Sequence, residues 1–156
     1  MPRRKRVIKK RIDEDPRYND YEIEKFINKL MWDGKKDLAY RIFYDMMDQI
    51  KEKMNQDPLP VFKKALNNVK PKLEVRPRRI GGATYQIPIE VSPHRGLSLA
   101  IRWIVETARS KKGKSIVDRL VEEILEAYKG EGASIKKRDE THKMAEANRA
   151  FAHYRW

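Results

Sequence analysis

The sequence predicts a mainly α-helical fold: a single six-helix bundle domain with an inserted extended β-hairpin and a basic, disordered N-terminal arm. Three observations carry that prediction. Apolar residues recur at helical spacing in five segments bounded by capping and breaking residues, and a sixth segment free of Gly and Pro closes the chain. Between the third and fourth segments, period-two alternation flanks Gly81-Gly82, a hairpin signal. The first twelve residues carry seven Lys and Arg and no acid. On this reading residues 1–18 form the arm and a connector, and residues 19–156 form one helical domain with its hairpin at about 72–91.

The elements follow in order. Arg3, Arg4, Lys5, Arg6, Lys9, Lys10 and Arg11 repel one another, so the arm orders only against a polyanion. The bland alternatives are a solubility tail or a localisation signal. Asn19 or Asp20 caps a first helix whose stripe is Ile23, Phe26, Ile27, Leu30 and Met31, with Gly34 as its C-cap. The second helix has Leu38, Ile42, Phe43, Met46, Ile50 and Met54 on one face, the methionines filling core. Asp57 caps the third and Pro58 opens it; Phe62, Ala65, Leu66 and Val69 face inward, and Pro71 closes it.

In the ribbon, Leu73 and Val75 alternate with Glu74 and Arg76. Tyr85, Ile87, Ile89 and Val91 alternate with Gln86, Pro88 and Glu90. Pro77 and Pro88 lack ladder donors, so both strands are edges. An isolated ribbon is marginal in water, so an apolar side is expected to dock on helices and leave the tip exposed. Arg76 should then project from the face opposite the docked side chains. Ser92-Pro93 starts a fourth helix with Leu97, Ala100, Ile101, Ile104, Val105 and Ala108 inward and His94, Arg95, Arg102 and Arg109 outward. Ser115 caps a fifth, with Ile116, Leu120, Val121, Ile124 and Tyr128 inward and Gly130 as its stop. The last segment, from Ser134 to about Tyr154, has no continuous apolar stripe, which marks a bridging or partner-bound helix.

Charge narrows the function. Lys plus Arg number 36 against 23 Asp plus Glu, a formal net charge of +13, which points to nucleic acid or an anionic surface. Arg76, Arg78 and Arg79 make the hairpin tip basic, and a basic ribbon fits a groove or a phosphate backbone. The alternative is that these arginines guard an edge against aggregation. There is no Cys, which removes disulfides, Cys-ligated zinc and thiol catalysis. No apolar run is long enough to span a bilayer, and no secretory signal is evident, so a soluble protein of the cytosol or an organelle matrix is expected.

Catalytic signatures are weak. Gly34-Lys35-Lys36 follows a helix rather than a strand and lacks an upstream glycine, so it is not a nucleotide loop; it suits a backbone phosphate. His94, His142 and His153 lack metal-ligand spacing. Glu122-Glu123 and Asp139-Glu140 read as solvated faces. No enzyme, cofactor or metal is expected. Unpaired bases stack on aromatic and guanidinium planes, but Trp32 and Tyr85 read better as core packing. Phe151, His153, Tyr154 and Trp156, among Arg149 and Arg155, read as a partner contact.

Four stretches carry a resemblance: FINKLMWDGKKDLAYRIFY at residues 26–44, EVRPRRIGGATYQIPIEV at 74–91, LAIRWIVE at 99–106 and MAEANRAFAHYRW at 144–156. Through them the whole chain resembles the family of small-subunit ribosomal protein seven, of the bacterial and organellar type. The resemblance implies six helices with an extended hairpin between the third and fourth. It implies a primary binder of the 3′ major domain of small-subunit rRNA that nucleates assembly of the subunit head. Exit-site tRNA, mRNA near its exit and small-subunit proteins nine and eleven would be neighbours, with no membrane. By matching positions, the arm (Arg3, Arg4, Lys5, Arg6, Lys9, Lys10, Arg11), Lys35, Lys36, Arg76, Arg78, Arg79, Arg95 and Arg102 would contact rRNA. Gly81, Gly82, Tyr85, Lys136, Lys137, Arg149, Tyr154, Arg155 and Trp156 would face tRNA or a neighbouring protein. Gly96 and Asp37 depart from the family's pattern. An architectural DNA-binding protein is the competing class, although such ribbons carry an apolar or proline wedge at the tip, where this one has Gly-Gly.

Overall fold

Three of the helices begin where a side chain satisfies one of their first amides. Asp20 accepts from Glu22 N at 2.7 Å and opens α1 (Tyr21–Leu30). Asp57 accepts from Leu59 N at 3.2 Å and opens α3 (Pro58–Val69), and Ser115 accepts from Asp118 N at 3.1 Å and opens α5 (Ile116–Lys129). Between them lie α2 (Lys36–Met54) and α4 (Pro93–Ser110), and α6 (Ala133–Ala147) follows. These assignments come from a computed structural model that describes residues 13–154. The seven basic residues of the arm, together with Arg155 and Trp156, lie outside the described residues.

The core is where the stripes of α1 to α5 meet. Phe26, Phe43 and Phe62, one from each of the first three helices, are fully buried with ring centroids 5.2–5.6 Å apart. Ile50, Leu66, Ile104, Val105, Leu120 and Ile124 surround them. The stretch before α1 is tied to this core. Asp15, fully buried, accepts from Tyr18 N at 2.8 Å and from Tyr44 Oη at 2.7 Å.

Several sequence expectations need correction. Gly34 does not cap α1. That helix ends on an extended Met31, and Asp33 and Gly34 (φ 50° and 71°) form a separate turn. Trp32 therefore leaves the helical register and is 65% exposed rather than packed in the core. Leu38 is 51% exposed. At about 100° per residue it sits about 140° around α2 from Phe43, and Ala39 and Met47 take the stripe instead. Glu123 is not on a solvated face: its side chain is fully buried, and it accepts from Ser134 N at 2.9 Å and Ser134 Oγ at 2.6 Å. Lys111 Nζ lies 2.9 Å from its other oxygen, an ion pair rather than a well-aligned hydrogen bond. Burial opposes charge on Lys111, but the close contact with Glu123 and the fields of Glu123 and Glu126 raise its pKa above the ordinary value.

The C-terminal segment is not one helix to Tyr154. It breaks at Asn148, whose Nδ2 donates to Met144 O at 2.8 Å, and continues as a 3-10 helix over Arg149–Tyr154. Three residues per turn align Phe151 with Tyr154, and both rings pack on Tyr85, at 5.3 and 5.5 Å.

Strands β1 (Leu73–Ile80) and β2 (Ala83–Glu90) pair antiparallel around Gly81 and Gly82, both at positive φ (56° and 88°) as a two-residue primed turn requires. The register places Glu74, Arg76 and Arg78 opposite Ile89, Ile87 and Tyr85. Directly opposed residues share a face. The apolar sets of the two strands therefore lie on opposite faces, and there is no single apolar side. Arg76 does not point away from the buried side chains. It shares a face with Ile87, which is fully buried.

Candidate nucleic-acid interface

Helix α4 organises the exposed cations. Arg95, Arg102 and Arg109 are spaced by seven residues, close to two turns, so they form one stripe about 21 Å long. Leu97, Ile101, Ile104 and Ala108 are buried on the other side of the helix. Glu106 interrupts the stripe and sits 4.0 Å from Lys137 of α6.

At the N-terminal end of α4 the stripe joins the hairpin through one carboxylate. Arg76 donates from Nε and Nη2 to Glu74 Oε1 at 3.1 and 2.9 Å. Arg95 donates from Nε and Nη2 to Glu74 Oε2, both at 3.3 Å. Glu74 is 7% exposed, whereas the side chains of Arg76 and Arg95 remain 49% and 44% exposed. Gly96 lies buried against Pro71 O, which brings the first turn of α4 close to the end of α3.

At the other end the stripe meets the turn after α1. The Arg109 guanidinium sits 4.8 Å from the Trp32 ring and donates to Leu30 O at 3.0 Å. Trp32, Lys35, Leu38, Ile42, Arg109 and Ile116 line a groove of ≈ 310 Å³. A cation-rimmed groove with an exposed indole suits a base with its phosphate.

The remaining predicted residues are dispersed. Lys35 is exposed, but Lys36 turns inward, ion-pairing with Glu24 and donating to Asn28 Oδ1 at 2.7 Å. Arg78 donates to the Tyr154 carbonyl beside Tyr85. Arg79, Gly81 and Gly82 are exposed at the tip, far along the ribbon from Glu74. Arg149 lines a shallow groove with Leu73 and Pro88, while Lys136 is exposed on α6. Sequence reasoning missed Glu74, and it placed Trp32 in the core. The seven-residue spacing of arginines on α4 was the signal available for the stripe. Among the described residues, no group of His, Asp and Glu is arranged to hold a metal ion, and no helix is long and apolar enough to cross a membrane.

A family model for ribosomal protein S7p/S5e matches residues 2–149. The chain belongs to that family. Its relatives include the small ribosomal subunit protein uS7 of Thermotoga neapolitana, 61% identical over 99% of both chains. The proteins of the same description from Thermoanaerobacter pseudethanolicus and Dictyoglomus turgidum are 58% and 61% identical, each over 100% of both chains. As a family member the chain is a structural, RNA-binding constituent of the small ribosomal subunit in the cytoplasm, and it is not an enzyme.

Proposed function

We propose that this S7p/S5e chain is a primary binder of the 3′ major domain of small-subunit rRNA and that it nucleates assembly of the subunit head. The observation that carries this reading is the arginine stripe of α4, continuous at one end with the hairpin root and at the other with the Trp32–Lys35 turn. It offers a backbone-tracking row of cations ending in a stacking surface. Arg76, Arg79, Arg95, Arg102 and Lys35 are its rRNA contacts, joined by the seven basic residues of the arm. Arg78 and Lys36 have partners within the chain and contribute through charge more than through free donors. The hairpin tip around Gly81-Gly82, with Tyr85, Lys136, Lys137, Arg149, Tyr154, Arg155 and Trp156, faces exit-site tRNA, departing mRNA and small-subunit proteins nine and eleven.

The test is affinity for the isolated rRNA domain across a salt titration, with chemical footprinting of the same RNA. Arg102→Ala and Lys35→Ala should each weaken binding and lower the log–log salt slope by about one for each phosphate no longer neutralised. A nearly flat plot for the parent protein removes the electrostatic basis of the reading. Removing residues 80–83 separates tip from stripe. The shortened protein should bind rRNA nearly normally and should alter retention of exit-site tRNA in reconstituted subunits. Failure to assemble would make the tip an rRNA anchor instead.

A further inference from the structure

Among the described residues, the only acid on the charged face of the hairpin root is also the most deeply buried charge there. Glu74 is 7% exposed, it lies on β1, and its two carboxylate oxygens each hold a different arginine. One arginine comes from the same strand and the other from the first turn of α4, so the carboxylate ties two elements that the hairpin connection alone leaves free to splay. Each arginine spends its Nε–Nη2 edge on Glu74, and none of those four bonds uses an Nη1 group. Each guanidinium also stays close to half exposed. The result is two cations held on opposite oxygens of one carboxylate, each with an Nη1 group outside those four bonds.

Coulomb's law alone makes Glu74 a liability. A negative charge between two phosphate-binding cations repels the backbone they are meant to hold. Against that stands the cost of ordering. A free arginine carries large rotamer entropy, and immobilising it at the moment of binding subtracts from affinity. When Arg76 and Arg95 are already held by Glu74, that ordering precedes binding. The carboxylate is buried while both guanidiniums stay nearly half exposed, so an approaching phosphate meets the cations before the acid.

We propose that Glu74 is a positioning residue for RNA: it pre-orders Arg76 and Arg95 as a two-guanidinium clamp for the phosphate backbone at the hairpin root. The proposal rests on the rRNA-binding reading above and adds a residue of the opposite sign to the interface. Its signature is an inverted charge effect, in which removing an acid from a polyanion-binding surface weakens binding.

The experiment compares Glu74→Gln, Arg76→Ala and Arg95→Ala in the full chain. Binding to the 3′ major domain of small-subunit rRNA is measured across a salt titration, with thermal melts alongside. Glu74→Gln should bind roughly tenfold more weakly, the scale of re-ordering two arginine side chains on binding, despite gaining a unit of positive charge. Its salt slope should fall toward that of the arginine variants. A purely structural role for Glu74 would lower the melting temperature and leave affinity and slope of the folded protein unchanged; that outcome overturns the proposal, as does tighter binding by Glu74→Gln. If neither arginine variant loses affinity, the clamp has no ligand and the interface reading at the hairpin root falls too. If both arginine variants lose affinity and Glu74→Gln does not, only the positioning role falls. Should Glu74→Gln fail to fold, Glu74→Asp carries the test, because it keeps the charge and shortens the arm. Weakened binding by folded Glu74→Asp supports the clamp, and unchanged binding overturns it.

Discussion

Two aromatic trios hold this molecule together, and they differ in what surrounds them. Phe26, Phe43 and Phe62 sit at 5.2–5.6 Å, fully buried, on three helices that also share Ile50, Leu66 and Ile104. Tyr85, Phe151 and Tyr154 sit at 5.3–6.4 Å, only half-buried, between one strand and the 3-10 helix. The first trio is the meeting point of stripes that each helix would bury in any packing. The second exists only because the segment after α6 returns to the ribbon, where polar bonds hold it: Arg78 on the Tyr154 carbonyl and, at the ribbon's root, His142 on the Lys72 amide. Similar ring geometry therefore does two jobs. One trio sets global stability, and the other sets where the hairpin stem and C-terminus lie relative to each other.

The comparison breaks most clearly at Phe43. Phe43→Ala should cost about 3–5 kcal/mol of stability, the range for emptying a closed aromatic site, and should lower the melting temperature of the whole domain. A loss below about 1 kcal/mol would mean that the trio is not the keystone of the core. Phe151→Ala should cost much less, about 1 kcal/mol, because the site is half-open and the pair terms are small. Its clear readout is local. Trypsin should cut after Arg78 or Arg79 faster than in the parent protein, while rRNA affinity changes little. Equal cleavage rates would show that the second trio does not brace the ribbon.

The smallest effect sharpens the polar side of the same comparison. His142 Nε2 accepts from the Lys72 amide at 2.9 Å, which requires an unprotonated Nε2. Burial, reinforced by Arg138 and partly offset by Asp139, lowers its pKa below the ordinary 6.5. A histidine depressed in the folded state contributes stability that is complete above pH 6.5 and is lost as pH falls toward the folded value. Melts from neutral pH down to about 5 should show this decline. His142→Gln keeps an acceptor without titrating and should flatten that part of the profile. A parallel decline in both proteins would assign it to other groups.

How much of this was legible in the residues follows from the kind of signal each element leaves. Apolar spacing, Asp20, Asp57, Ser115 and Gly130 mark five helices and their ends, and Gly81-Gly82 marks the hairpin, because capping and turn chemistry are local. Trp32 and Leu38 were misplaced because a stripe reports a face and not where a helix stops or which residue sits at its margin. The faces of the ribbon depend on register, and a one-residue change in pairing exchanges Leu73 and Val75 with Glu74 and Arg76. Glu123 resembled a solvated acid in sequence because its partner, Ser134, lies on the next helix. The arginine stripe was visible in spacing, whereas its link to the hairpin through Glu74 needed three dimensions.

The carboxylate that Glu123 lends to its neighbour has a consequence for timing. Helix α6 has Gly132 at its N-cap and so no capping side chain of its own; its first turn is closed by Glu123 from α5, which takes the Ser134 amide. Gly132 sits at φ 96°, and a Cβ there would come 3.0 Å from Glu126 Cβ, so the junction has little room for another residue. As the chain leaves its own ribosome from the N-terminus onward, α6 has nothing to close its first turn until α5 has formed and Lys111 has come alongside Glu123. Nor can the 3-10 helix that follows reach Tyr85 until α6 has set its direction. The segment from Ala133 to Tyr154 therefore takes its shape from α5 and the ribbon, and cannot take it before they are in place.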